Sequence, residues 1–132
     1  MTIDTERVSD SERITRYIVE KSKFSASIGR VKTSAFVPPA NRRLSVYRTD
    51  NLQEPEVWRL GDEYVAPALG KAILARADLL AGEFTKRNLT VHPEPNPHER
   101  HCNVINWPES EWLKIATDLA NAAQLLLVPR TG

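Results

Sequence analysis

The sequence has little that would support covalent cross-linking, secretion or membrane insertion. It contains a single cysteine, Cys102, which excludes an internal disulfide and favours a reducing compartment. No apolar run approaches the length that crosses a bilayer, and the opening residues lack the basic and then apolar pattern of a signal peptide. We therefore predict a soluble, cytoplasmic protein.

Short motifs that identify a reaction are also missing. The sequence has no Gly-x-Ser-x-Gly, no Cys-x-x-Cys, no His-Glu-x-x-His and no glycine-rich phosphate loop, and glycine accounts for only five of the 132 residues. Internal repeats and low-complexity segments are absent as well. No reaction can therefore be named from a motif, and any site must come from residues that the fold brings together.

The composition is that of one ordinary folded domain. With 41% hydrophobic and 27% charged residues, the chain is long enough for one core and too short for two. Residues 1–12 hold four acidic residues and one basic residue without periodicity, which predicts a disordered acidic tail. Residues 13–132 are predicted to form a single α+β domain.

Alternating apolar residues predict a mostly antiparallel sheet of four to five short strands. The clearest strand is Leu44–Arg48, and the other candidates lie at residues 13–20, 24–28, 71–79, 89–91 and 101–105. A two-turn helix is predicted to end at Gly61, followed by a loop over residues 62–70. Pro108 and the apolar spacing after it predict a long amphipathic helix that ends before Pro129 and covers the sheet. Its apolar stripe indicates core packing, with a contact to another protein as the alternative.

Charge is strongly segregated along the chain. Residues 13–48 hold nine basic residues and one acidic residue, whereas the remainder is acidic overall. A basic segment of this kind favours an anionic partner, and arginine suits it because its planar fork binds carboxylate or phosphate bidentately. Solvated surface charge is the plainer interpretation. The predicted anion-binding residues are Arg42, Arg43, Arg48, Arg100 and Tyr47.

The stretch Leu89–Pro108 holds every histidine and the cysteine, so it is the first place to look for chemistry. His101 could act as an acid or base and Asn103 as an orienting donor, since alternation places both on one face of a strand. Cys102 would point to the opposite face. A metal site built from His92, His98, His101 and Cys102, with Glu94 or Glu99, is the alternative, although no ligand spacing supports it.

The run Val46-Tyr47-Arg48 resembles the NAD-gripping first strand of ADP-ribosyltransferases, in which an aromatic residue and an arginine stand together. The resemblance is confined to this strand, and no glutamate can be matched to the catalytic one of that family. It implies ribosyl chemistry at this strand.

Taken together, these features predict a small binding or accessory module whose basic face engages a nucleic acid, a nucleotide or a phosphate group. One alternative is a small enzyme of phosphoryl- or ribosyl-transfer or hydrolysis type centred on His101. Another is a subunit that binds a partner protein through its C-terminal helix. No cofactor, resident metal or membrane partner is predicted.

Overall fold

An antiparallel sheet of six strands forms the centre of the protein, as a computed structural model describing residues 7–129 shows. The fold is α+β, as predicted, with more strands than the expected four to five. The strands are β1 Arg13–Ile18, β2 Phe24–Ser25, β3 Arg30–Val31, β4 Leu44–Arg48, β5 Ala75–Leu80, β6 Thr90–Pro93, β7 His101–Ile105 and β8 Gln124–Leu127. The helices are α1 Glu54–Tyr64, α2 Ala66–Leu69, α3 Gly82–Thr85 and α4 Trp112–Ala122, with 3-10 turns at Lys21–Lys23 and Thr33–Phe36.

The strand order of the large sheet is β6-β7-β4-β1-β5-β8, and β2 and β3 form a separate two-stranded ribbon. β1 pairs along its whole length with β5, from Arg13 opposite Leu80 to Ile18 opposite Ala75. Its ladder with β4 contains only two pairs, and the second of them places Thr15 opposite Tyr47. Beyond that pair the two central strands separate, which opens a gap in the middle of the sheet.

The two faces of the sheet differ in chemistry because side chains alternate along each strand. One face is apolar and forms the main core with α4 and the turn at Thr33–Phe36, and Val46, Cys102 and Leu119 are fully buried there. The other face is polar and aromatic, and α1 packs against part of it. That polar face carries Thr15, Tyr17, Ser45, Tyr47, Arg76, Asp78 and His101.

The end of the predicted C-terminal helix is wrong. Helix α4 ends at Ala122, and the following residues form β8, in which Leu125 lies opposite Ala77 of β5. The leucine run suits either element by hydrophobicity alone, but β5 has a free edge whose backbone groups need partners. Pairing with β8 gives the backbone groups of β5 hydrogen-bond partners. A longer helix α4 would leave those groups without partners.

The predicted stop at Gly61 and the loop after it are also wrong, since α1 continues to Tyr64 and α2 follows. Gly61 has a packing role within the helix. A Cβ atom at this position would lie 2.7 Å from two carbons of the Tyr17 ring. The glycine therefore allows α1 to approach the polar face of the sheet closely.

The predicted strand over residues 24–28 is shorter than expected. β2 contains only Phe24 and Ser25, and Ile28 is 66% exposed, next to Gly29 with a φ of 65°. The alternation of apolar and polar residues continues to Ile28, but the strand ends at Ser25, where the ribbon turns. The pattern therefore overestimated the length of the strand.

The predicted acidic tail lies partly outside the described residues, which begin at Arg7. Within residues 7–12, the carbonyls of Asp10 and Glu12 accept hydrogen bonds from the amides of Gly82 and Ala81. No helix within residues 7–129 is both long and apolar enough to cross a membrane.

Candidate functional site

A cavity of about 330 Å³ lies where the polar face of the sheet meets the C-terminal half of α1, α2 and the proline-rich loop after β6. We call it the central cavity. It lies beside the gap between β1 and β4, and its walls combine cationic, aromatic and apolar groups. The lining residues are Arg16, Tyr17, Val19, Glu20, Lys23, Ser45, Tyr47, Tyr64, Val65, Ala68, Leu69, Pro97 and His101.

A serine and a histidine are hydrogen-bonded in this cavity. Ser45 Oγ on β4 lies 2.7 Å from His101 Nε2 on β7, and His101 Nδ1 lies 2.9 Å from the carbonyl oxygen of Glu94. A carbonyl oxygen can only accept, so Nδ1 carries the hydrogen and the neutral ring presents the Nε2 lone pair to the serine hydroxyl. The His101 ring is also fixed by an edge contact with Tyr47, at 5.2 Å between centroids.

Arg16 fills the gap between the two central strands. Its Nε donates to the Ala35 carbonyl and its Nη1 to the Ser45 carbonyl, each at 3.0 Å. The guanidinium thus satisfies a backbone acceptor that the broken ladder leaves open. Burial lowers the pKa of Arg16 to about 10, because a charged group loses hydration inside the protein.

Two tyrosines and two charged side chains form another part of the cavity wall. Tyr17 and Tyr47 meet edge to face at 5.7 Å, and burial raises the pKa of both hydroxyls, so they stay neutral hydrogen-bonding groups at physiological pH. Lys23 and Glu20 also line it, and Lys71 lies 3.5 Å from Glu20. The acid in the wall is therefore already matched by a cation outside it.

The predicted anion-binding arginines do not meet at one place. Arg48 points away from the central cavity, and its Nε and Nη2 bind the two oxygens of Glu12, both at 2.8 Å. The anion that Arg48 holds is thus a carboxylate of the same chain, and its side chain lies on the opposite face of the sheet from His101. Tyr47, its neighbour in sequence, lines the central cavity.

The other three arginines lie on separate surfaces. Arg42 lines a shallow groove with Trp107 and Trp112, and Arg43 lies 3.5 Å from Glu94. Arg100 donates to backbone carbonyls at Arg48 and Asp50. Residues 13–48 are strongly basic in sequence, but the fold places their charged side chains on separate surfaces of the protein.

Of the three histidines in Leu89–Pro108, only His101 lines the central cavity. His92 faces Glu94 at 3.6 Å, and His98 packs on the ring of Tyr64. Asn103 lies opposite Ser45 on β4, two pairs along the ladder from His101, and is not among the residues that line the cavity. Cys102 is fully buried on the apolar face, and burial raises its pKa to about 12. Between Arg7 and Pro129, no cluster of three or more His, Cys, Asp or Glu side chains is arranged to hold a metal ion.

Sequence reasoning missed Arg16, Ser45 and Lys23. Ser45 alternates with Tyr47 on a strand that was recognised, so its face could have been assigned, but its pairing with His101 depends on β4 and β7 being neighbours. Alternation starts the Arg16 side chain on the apolar face, between Ile14 and Ile18, and it lines the central cavity from the gap between β1 and β4. This charged residue in an apolar pattern was the available signal.

The chain was also compared with known proteins. It matches no protein-family model, no curated protein and no solved structure.

Proposed function

We propose that the protein binds a small organic anion in the central cavity, with the negative group against Arg16 and Lys23 and the apolar body against the tyrosines and α2. The observation that carries this proposal is the environment of Arg16. Its side-chain hydrogen bonds go to neutral carbonyl oxygens, and no carboxylate of residues 7–129 lies within ion-pair distance of it or of Lys23.

Proteins normally pair the charge of a buried arginine with an anion, and Arg16 is half-buried. Arg48 and Arg76 follow that rule here, since each binds a carboxylate at 2.8 Å. Arg16 departs from it, and it does so in the wall of a cavity. A bound carboxylate or phosphate would complete its coordination in the bidentate geometry that a guanidinium favours.

The size and lining of the cavity favour a small molecule over a polymer. About 330 Å³ is at the lower end of the range for ligand pockets, and tyrosine rings with aliphatic side chains suit an aromatic or branched body. A nucleic acid would need cations along one surface, whereas Arg42, Arg43, Arg48 and Arg100 lie apart.

Thermal unfolding with added ligand tests the proposal, because a molecule that binds only the folded state raises Tm. The probes are benzoate and phenyl phosphate, with neutral benzyl alcohol, inorganic phosphate and a single-stranded oligonucleotide for comparison. We expect the two aromatic anions to raise Tm and benzyl alcohol to have little effect. A Tm unchanged by both anions, or a salt-sensitive rise with the oligonucleotide alone, would contradict the proposal.

Variants then locate the site. Arg16→Met and Lys23→Met should each weaken binding about tenfold or more, consistent with the loss of a charged hydrogen bond. Arg30→Met is the matched control, since Arg30 is exposed and contacts Asn121 at 2.7 Å on another surface. The Lys23 side chain makes no hydrogen bond within residues 7–129, so Lys23→Met keeps the test valid if Arg16→Met unfolds. Equal affinity in all three variants would place the ligand elsewhere.

A further inference from the structure

We infer that Ser45 is a nucleophile and His101 its general base, and that the central cavity hydrolyses small carboxylic esters with an aromatic or branched acyl group. This inference rests on the proposed function, because the acid that such a reaction releases is an organic anion of the kind proposed to bind there. The pair is the one place in the described residues where a hydroxyl and a histidine nitrogen meet inside a cavity.

The hydrogen bonds give each atom a defined role. The Glu94 carbonyl holds the hydrogen on Nδ1 of His101, so Nε2 is directed at Ser45 Oγ, 2.7 Å away, as an acceptor. This is the arrangement in which a base accepts the proton of an attacking hydroxyl. A backbone carbonyl occupies the place that an aspartate takes in a Ser-His-Asp triad, so the His101 imidazolium has a dipole but no full charge beside it.

The reaction balances with water as the only co-reactant. Ser45 Oγ forms a bond to the ester carbonyl carbon while its proton passes to His101 Nε2. The tetrahedral adduct then collapses, the bond to the alcohol oxygen breaks, and the alcohol leaves with the proton from His101. Water attacks the acyl-serine, gives its proton to Nε2, and the carboxylic acid departs as Ser45 recovers its hydrogen.

Within this inference we assign the negative charge that develops on the carbonyl oxygen to Arg16, the arginine that lines the cavity from the gap between β1 and β4. Its Nη1 binds the backbone carbonyl of Ser45, so the guanidinium is held against the residue that attacks. The oxyanion of the adduct and the carboxylate of the product carry their charge in nearly the same place, so one cation serves both. The apolar wall of Val65, Ala68 and Leu69 receives the acyl group.

The test uses p-nitrophenyl butyrate and p-nitrophenyl benzoate, with release of p-nitrophenol measured by absorbance. Ser45→Ala should reduce the rate to that of buffer, and His101→Gln should reduce it about 10²–10⁴-fold through loss of the base. Ser27→Ala and His92→Gln are the matched controls, because both residues are exposed and lie outside the cavity. Both controls should retain the parent rate.

A fluorophosphonate gives a second readout that needs no variant. Ser45 Oγ would form a bond to phosphorus as fluoride leaves, and mass spectrometry of the digested protein should find the adduct on Ser45. Labelling elsewhere, no labelling, or a rate unchanged in Ser45→Ala would overturn the inference. If Ser45→Ala still binds benzoate, that result leaves the proposed function intact. If the parent protein does not bind benzoate, the proposed function itself is overturned.

Discussion

Replacing Gly61 with alanine sets two effects of opposite sign against each other. Alanine favours a helix over glycine by about 0.8–1 kcal/mol at an open position. At Gly61, however, the new methyl group would lie 2.7 Å from the Cδ1 and Cε1 atoms of Tyr17, well inside van der Waals contact. The structure decides which effect is larger.

The Tyr17 ring cannot move away at low cost. Its hydroxyl donates to the Val57 carbonyl, its edge packs on Tyr47, and its side chain is buried. Overpacking at such a site costs about 1–3 kcal/mol, and more where the backbone must shift. After subtraction of the helix gain, we expect Gly61→Ala to lower the free energy of unfolding by up to about 2 kcal/mol.

Guanidinium unfolding of four proteins measures this balance: the parent, Gly61→Ala, Tyr17→Leu and the double variant. In the Tyr17→Leu background the methyl group has room, so Gly61→Ala should become stabilising by about 0.5–1 kcal/mol. Asp62→Ala, at an exposed position of the same helix, reports the change in helix propensity alone. Stabilisation by Gly61→Ala in the presence of Tyr17 would refute the reasoning, because the ring would then not limit the approach of α1.

Three further predictions concern buried charges and the thiol. Glu12→Gln should lower the free energy of unfolding in urea by about 3 kcal/mol, because Arg48, with a side chain only 4% exposed, loses the Glu12 carboxylate. Glu20→Gln, in an exposed pair, should lower it by less than about 1 kcal/mol. Equal losses in the two variants would contradict this. Arg76→Lys should cost on the order of 2 kcal/mol, because lysine cannot span Glu54 and Asp78 with one planar group, while Arg59→Lys at an exposed position should be neutral. Cys102 should react with a disulfide reagent at pH 8 at least about 100-fold faster in denaturant than in the folded protein, since burial raises its pKa to about 12, and equal rates would show that it is accessible. The same raised pKa contributes stability that is present below the pKa of the unfolded thiol and is lost as the pH rises toward about 12.

The period-two patterns in the sequence correctly placed β4 and β7, and β-branched and aromatic content placed β1, although its apolar spacing was helical. Such patterns are local, because alternation of buried and exposed side chains follows from the pleat of a single strand. The same reasoning placed His101 and Cys102 on opposite faces of β7, as observed. It failed at residues 123–128, where an apolar run is compatible with helix or strand and only the free edge of β5 selects strand.

The candidate site was decided by tertiary structure. Ser45, His101 and Arg16 come from three strands whose neighbours and register no local pattern specifies, and the gap that Arg16 fills exists because β1 and β4 stop pairing after Thr15 and Tyr47. Arg48 shows the same limit, since its partner Glu12 lies 36 residues away. The sequence alone determined which side chains share a face of each strand, because that depends on adjacent residues. Which faces meet, and which charges are left without a partner, depended on contacts between distant parts of the chain.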